Sequence, residues 1–140
     1  PLTSVHNRRV LEDWINTEFF RVRRTRSPFS IGLVHIKNLK SLNKEYGRPV
    51  ADSTLEEVAQ LLVDTIRNTD EIGRWSDTHF MILCPDTGEA GIKTMGTKVS
   101  EALAEHHFTE KVAVDIECNW EIVNGHEKDA QAVLNSLMQL

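Results

Sequence analysis

The 140-residue sequence predicts an α/β fold of the α+β type, with a mixed, largely antiparallel central sheet of about five strands surrounded by helices. Three observations lead there. Apolar residues recur at a helical period in several long stretches, and short strand-like runs lie between them. Two of those runs are separated only by Ser76-Asp77, which reads as a tight hairpin. The resulting order β–α–α–β–β–α–β–α cannot make an all-parallel sheet.

Each element has its own signal. Residues 5–24 place Val10, Leu11, Trp14, Ile15 and Phe19 on one helical face, and Ser27-Pro28 ends the helix. Phe29–Ile36 (FSIGLVHI) is mostly apolar and reads as a buried strand. Residues 38–46 form a short helix closed by Gly47, and Pro49 starts the next one. That helix, over 50–66, aligns Leu55, Val58, Ala59, Leu62 and Ile66. Strands 70–75 and 78–84 make the hairpin, stopped by Pro85. A helix over 90–107 carries Met95, Val99, Ala102 and His106 on one stripe. Residues 111–123 alternate as one strand or two, and 130–140 form a last amphipathic helix. Without repeats, low-complexity stretches or an internal linker, residues 1–140 read as a single domain.

Composition narrows the function classes. A 40% hydrophobic and 26% charged chain is globular. No apolar run approaches the roughly 18–20 residues a membrane helix needs, and the polar N-terminus from Thr3 to Arg9 is no signal peptide. A cytoplasmic domain that does not itself enter the membrane is expected. The net charge of -5 argues against nucleic acid as a partner. The charge is uneven, because residues 1–26 hold six arginines against three acids and the remainder is strongly acidic. This arginine-rich first helix is either a solvated face or a docking surface for a preceding domain or an acidic partner. Cys84 and Cys118 lack metal-ligand spacing and read as buried free thiols in a reducing compartment.

Motif register adds a family resemblance over nearly the whole chain. Pro1-Leu2-Thr3 with Asn7-Arg8-Arg9, then Ile36-x-x-Leu39-Lys40-x-x-Asn43, then Tyr46-Gly47 with Asp52 follow one another in the order of a known pattern. The run from Arg67-Asn68-Thr69-Asp70 to Arg74-Trp75-Ser76-Asp77-Thr78-His79-Phe80 completes it. In these features the chain resembles a GGDEF, or diguanylate cyclase-type, domain. The resemblance implies the palm-like sheet of nucleotide cyclases. It also implies an active relative that joins two GTP molecules into cyclic di-GMP in a homodimer.

The departures from that pattern are chemical. Mg²⁺ is a hard cation that prefers carboxylate oxygens. The family's acid at the end of the first strand is His35 here, and Lys37 replaces a further acid. The signature reads Ser76-Asp77-Thr78-His79-Phe80, so its third letter is Thr78 and its fourth His79. Ser76 and Asp77 take the place of two glycines, adding Cβ atoms and a charge that repels a triphosphate. The family's phosphate-holding lysine in the last helix corresponds to Leu137. The resemblance therefore implies a degenerate domain with no catalytic residues, no metal site and no Mg²⁺ or other cofactor.

Two sets of residues survive. The pair Arg67 and Asp70 stands where the family has its inhibitory R-x-x-D site for cyclic di-GMP, with Lys98 on the following helix at about the position of a secondary basic contact. Arginine can fork onto phosphate or a guanine edge, and aspartate can accept from guanine N–H groups. The plain alternative is a helix terminus with solvent-exposed charges. Asn43 and Asp52 keep the family's guanine-reading spacing, against the alternative of local capping. His35 and His79 also suggest a minor transition-metal site with Asp77. These readings yield a cyclic di-GMP receptor first. The rivals are a dimerising or protein-binding pseudo-enzyme and a GTP-binding regulator of an adjacent sensor or output domain. The resemblance implies a larger signalling protein around this domain, with the parent anchored in the membrane in many relatives.

Overall fold

The computed structural model describes residues 6–127 and 129–138, so the entry motif at Pro1-Leu2-Thr3, the start of the first expected helix at Val5 and the end of the last at 139–140 lie outside the described residues. In chain order the elements are α1 (Arg8–Thr25), β1 (Phe29–Ile36), α2 (Leu39–Tyr46), α3 (Arg48–Thr65), β2 (Glu71–Ser76), β3 (His79–Cys84), α4 (Glu89–Glu105), β4 (Ile116–Val123) and α5 (Ala130–Met138). The sheet order is β2-β3-β1-β4, and every neighbouring pair is antiparallel.

Local chemistry sets the helix limits. The Asn7 side chain accepts from the Val10 backbone N–H at 3.1 Å and so caps α1. Arg26 then turns the chain out with φ 64°, its N–H bonding the Val22 carbonyl. Gly47, at φ 94°, both ends α2 and begins α3, a junction that a side chain would strain.

The period-2 alternation of β1 and β3 feeds two apolar layers. On one face Phe29, Ile31, Leu33, Met81 and Leu83 pack against Leu11, Ile15, Phe19 and Val22 of α1 and Val133, Leu134 and Leu137 of α5. On the other, Val34, Ile36, Phe80 and Ile82 meet Leu55, Val58, Ala59 and Leu62 of α3 and Met95, Val99 and Leu103 of α4. The expected helix stripes are therefore the buried ones, apart from partly exposed Val10, Trp14, Ile66, Ala102 and His106.

Two expectations need correction. The sheet has four strands among the described residues, where about five were expected. Residues 111–115 do not extend β4 into a second strand, because Lys111 takes a left-handed φ of 57° in a turn closed onto the Phe108 carbonyl. The Asn38 amide then holds the segment, donating to the Ala113 carbonyl at 2.8 Å and accepting from the Asp115 N–H at 2.9 Å. The hairpin turn is at Asp77-Thr78, one residue later than expected, because Ser76 pairs with His79. A register shift between Arg74 and Ser76 absorbs the difference.

Candidate functional site

The β2–β3 hairpin presents Ser76, Asp77, Thr78 and His79 beside the end of β1. His35 and His79 are direct cross-strand partners. Their rings stack 4.1 Å apart between centroids, only 7° from parallel. Nδ1 of His79 lies 2.7 Å from Ser76 Oγ and 3.0 Å from Thr78 Oγ1, so the turn hydroxyls fix the ring from one side. Burial, and then the neighbouring His35, hold the His79 pKa below its ordinary value. The neutral imidazole is the favoured form.

These donors do not fit Mg²⁺. The acidic positions of the family pattern now hold two stacked imidazoles and a hydroxyl, whereas Mg²⁺ takes carboxylate and water oxygens in an octahedron. Lys37, the further replacement, pairs with Glu117 at 3.5 Å on the exposed side of β4. Among the described residues no group of three or more His, Cys, Asp or Glu side chains is placed to hold a metal, and Asp77 does not join the two histidines in such a group.

The turn also explains how the glycine pair could be lost. No non-glycine residue in the hairpin has positive φ, so Ser76 and Asp77 sit there without backbone strain. Arg74 braces the loop. Its Nε donates to the Ser76 carbonyl at 2.8 Å, its Nη2 donates to the Asp77 carbonyl, and its guanidinium lies 5.6 Å from the Phe80 ring centre. Burial lowers the Arg74 pKa, and the charges of Asp77 and Asp52 oppose that shift.

Asp52 thus faces the hairpin from the start of α3, within electrostatic reach of Arg74. Asn43 is exposed on α2, and its backbone carbonyl accepts from Gly47 N–H at 2.9 Å. No hydrogen bond joins the Asn43 and Asp52 side chains among the described residues.

Arg67 and Asp70 are brought together, but chiefly onto each other. Asp70 accepts from the Arg67 backbone N–H at 2.9 Å, from its Nε at 3.1 Å and from its Nη2 at 2.8 Å. The Asp70 side chain is fully buried, whereas that of Arg67 is 44% exposed. Nη2 of Arg67 donates also to Thr87 Oγ1 at 2.7 Å, and that hydroxyl donates to the Pro85 carbonyl. The hydrogen bonds to Asp70 raise the Arg67 pKa against the effect of burial. Asp70 therefore orients the guanidinium and has no open face for a base, while Arg67 keeps a solvent-facing side. Thr87, twenty residues along the chain, had no signal in the sequence. Lys98 is exposed on α4, with no hydrogen bond or ion pair to Arg67 or Asp70 among the described residues.

Both cysteines are free. Burial, reinforced by Asp70, pushes the Cys84 thiol up to about 12, and burial pushes Cys118 to about 11, so neither is a reactive thiolate at neutral pH. His106, at the C-terminal end of α4, bonds Glu57 of α3. No helix among the described residues is long and apolar enough to cross a membrane.

Comparison with known proteins agrees with this architecture. The family model described as "Diguanylate cyclase, GGDEF domain" matches residues 1–139. Diguanylate cyclase DosC of Escherichia coli is 24% identical over 129 residues, which is 89% of this chain and 28% of DosC. The chain thus spans little more than a quarter of the length of that curated relative. The FimX GGDEF domain from Pseudomonas aeruginosa superimposes with a TM-score of 0.93 at 18% identity, covering 99% of this chain and 88% of that one. The GGDEF domain of DgcB from Caulobacter crescentus, solved with c-di-GMP, gives a TM-score of 0.90 at 13% identity, covering 99% and 84%.

Proposed function

The chain belongs to the GGDEF domain family of diguanylate cyclases, and from that premise we propose that it is a non-catalytic member acting as a regulatory module within a larger signalling protein. The observation that carries this reading is the stacked His35–His79 pair, which puts imidazole rings where the chemistry calls for metal-binding carboxylates. Incubation with GTP and either Mg²⁺ or Mn²⁺ tests it. No cyclic di-GMP is expected, and sustained formation of that product would overturn the reading.

The ligand of this module is cyclic di-GMP, bound on the exposed face of Arg67. Its support is the guanidinium held in place by Asp70 and Thr87 with one side open to solvent. A preoriented guanidinium loses less side-chain freedom on meeting a phosphate or a guanine edge. Asp70 acts in this reading through Arg67 and not on the base. Isothermal titration with cyclic di-GMP should give micromolar binding that Arg67→Ala abolishes. Absence of heat would remove the receptor role while leaving the non-catalytic reading intact, and would favour a module acting through protein contacts. Titration with GTP in parallel tests the rival site at Asn43 and Asp52, which no shared contact favours.

A further inference from the structure

Strand β4 lies at one margin of the sheet, and no strand pairs with its outer edge among the described residues. Its free N–H and C=O groups are a template for a further strand. Between this edge and α4 runs an open groove of about 750 Å³.

The side chains along the edge alternate in character. Val114, Ile116, Cys118, Trp120 and Ile122 point toward the α4 side, and all are partly exposed, so α4 leaves this apolar stripe incompletely covered. Trp120 forms the floor. Its ring packs on Gly32 and against Gly96, and its indole N–H is buried without an acceptor. The intervening positions are acidic at Asp115, Glu117 and Glu121, and Glu101 of α4 lines the same groove. Lys37 offsets Glu117, and Lys93 stands in the groove wall.

We propose that this groove binds an extended peptide segment as an added strand on β4, with apolar residues at alternate positions and basic residues between them. The apolar side chains would lie over Trp120 and Cys118 on the α4 face, and the basic ones beside Glu121 and Glu117 on the opposite face. A second copy of this chain fits less well. Antiparallel self-pairing centred on Asn119 sets Glu117 opposite Glu121, and directly opposed like charges destabilise a ladder.

A blocked heptapeptide of alternating lysine and valine is the probe, with a glutamate-valine peptide as its counterpart. Backbone hydrogen exchange should slow about tenfold or more at the outward-facing β4 amides with the lysine peptide alone. Glu121→Lys and Glu117→Lys, both on the face of β4 turned away from α4, should each weaken binding about tenfold. No binding, equal binding of the glutamate peptide, or affinity unchanged in both variants would overturn the proposal. So would outward β4 amides already as slow as those of β1 without peptide, or a dimer by sedimentation that protects them, since either shows the edge already covered.

Discussion

The imidazole rings of His35 and His79 stack face to face across the β1–β3 ladder, 4.1 Å between centroids. Two imidazolium cations cannot share that contact cheaply. Around it stand Ser76 and Thr78 on the hairpin, Glu117 opposite His35 on β4, and the Lys37 ammonium two residues along the chain from His35.

A pH dependence follows. The folded pKa of His79 is lowered, by burial first and by His35 second. An unfolded histidine titrates near about 6.5, so below that pH the unfolded chain binds more protons than the folded one. This contribution to stability is complete above about 6.5 and is lost as pH falls below it. Urea midpoints across the acidic range, compared between the parent chain and His79→Gln, should show a shallower slope in the variant. Identical slopes would remove the pair as the source.

A second prediction concerns metal. Restoring carboxylates with His35→Asp and Thr78→Glu should make the melting temperature rise by about 2–4 °C in millimolar Mg²⁺, since a ligand that binds only the native state stabilises it. The parent chain should melt at the same temperature with and without the ion. A Mg²⁺-dependent rise in the parent would show that other oxygens complete a site.

The helix stripes and the β1 core are legible in the sequence because burial follows period. Leu11, Ile15 and Phe19, or Leu55, Val58 and Leu62, can be read as faces from their spacing alone. The register of the signature is equally visible. What does not show is everything set by contacts between distant residues. Asn38 captures residues 113 and 115 and so replaces a fifth strand. Ser76 is drawn into the ladder by His79, shifting the turn. The spacing of Arg67 and Asp70 cannot reveal that Asp70 is turned inward against Arg67, nor that the β3–α4 loop brings Thr87 to the arginine.

The Arg67–Asp70 pair separates a structural from a ligand role. Asp70 is fully buried and holds three Arg67 N–H groups, so Asp70→Asn should cost about 2 kcal/mol, the scale of a hydrogen-bonded charged group. Arg67→Ala should cost less, about 1 kcal/mol, because its side chain is 44% exposed and water can replace part of the contact. For cyclic di-GMP the order should reverse: Arg67→Ala abolishes binding and Asp70→Asn only weakens it. Urea denaturation and titration calorimetry on the same two variants check both orders. Equal loss of binding in a stable Asp70→Asn protein would mean that Asp70 meets the ligand directly.

Gly32 and Trp120 give the sharpest packing test. Gly32 is on β1 opposite Trp120 on β4, and a Cβ at Gly32 would lie 2.5 Å from the nearest indole carbon. No rotamer change at position 32 relieves that clash, because the added atom is fixed by the backbone. The indole would have to lift, yet Gly96 of α4 already approaches its other side, where a Cβ would lie 3.3 Å from Nε1. Gly32→Ala should therefore destabilise by about 2 kcal/mol, in the range of an overpacked core. Trp120→Leu alone should also destabilise, through lost apolar contact. The double variant should be at least about 1 kcal/mol more stable than the sum of the two losses, since the leucine leaves room for the alanine methyl. Additive losses in a double-mutant cycle by urea denaturation would show that the clash is relieved by movement of the β1–β4 ladder instead of by the indole.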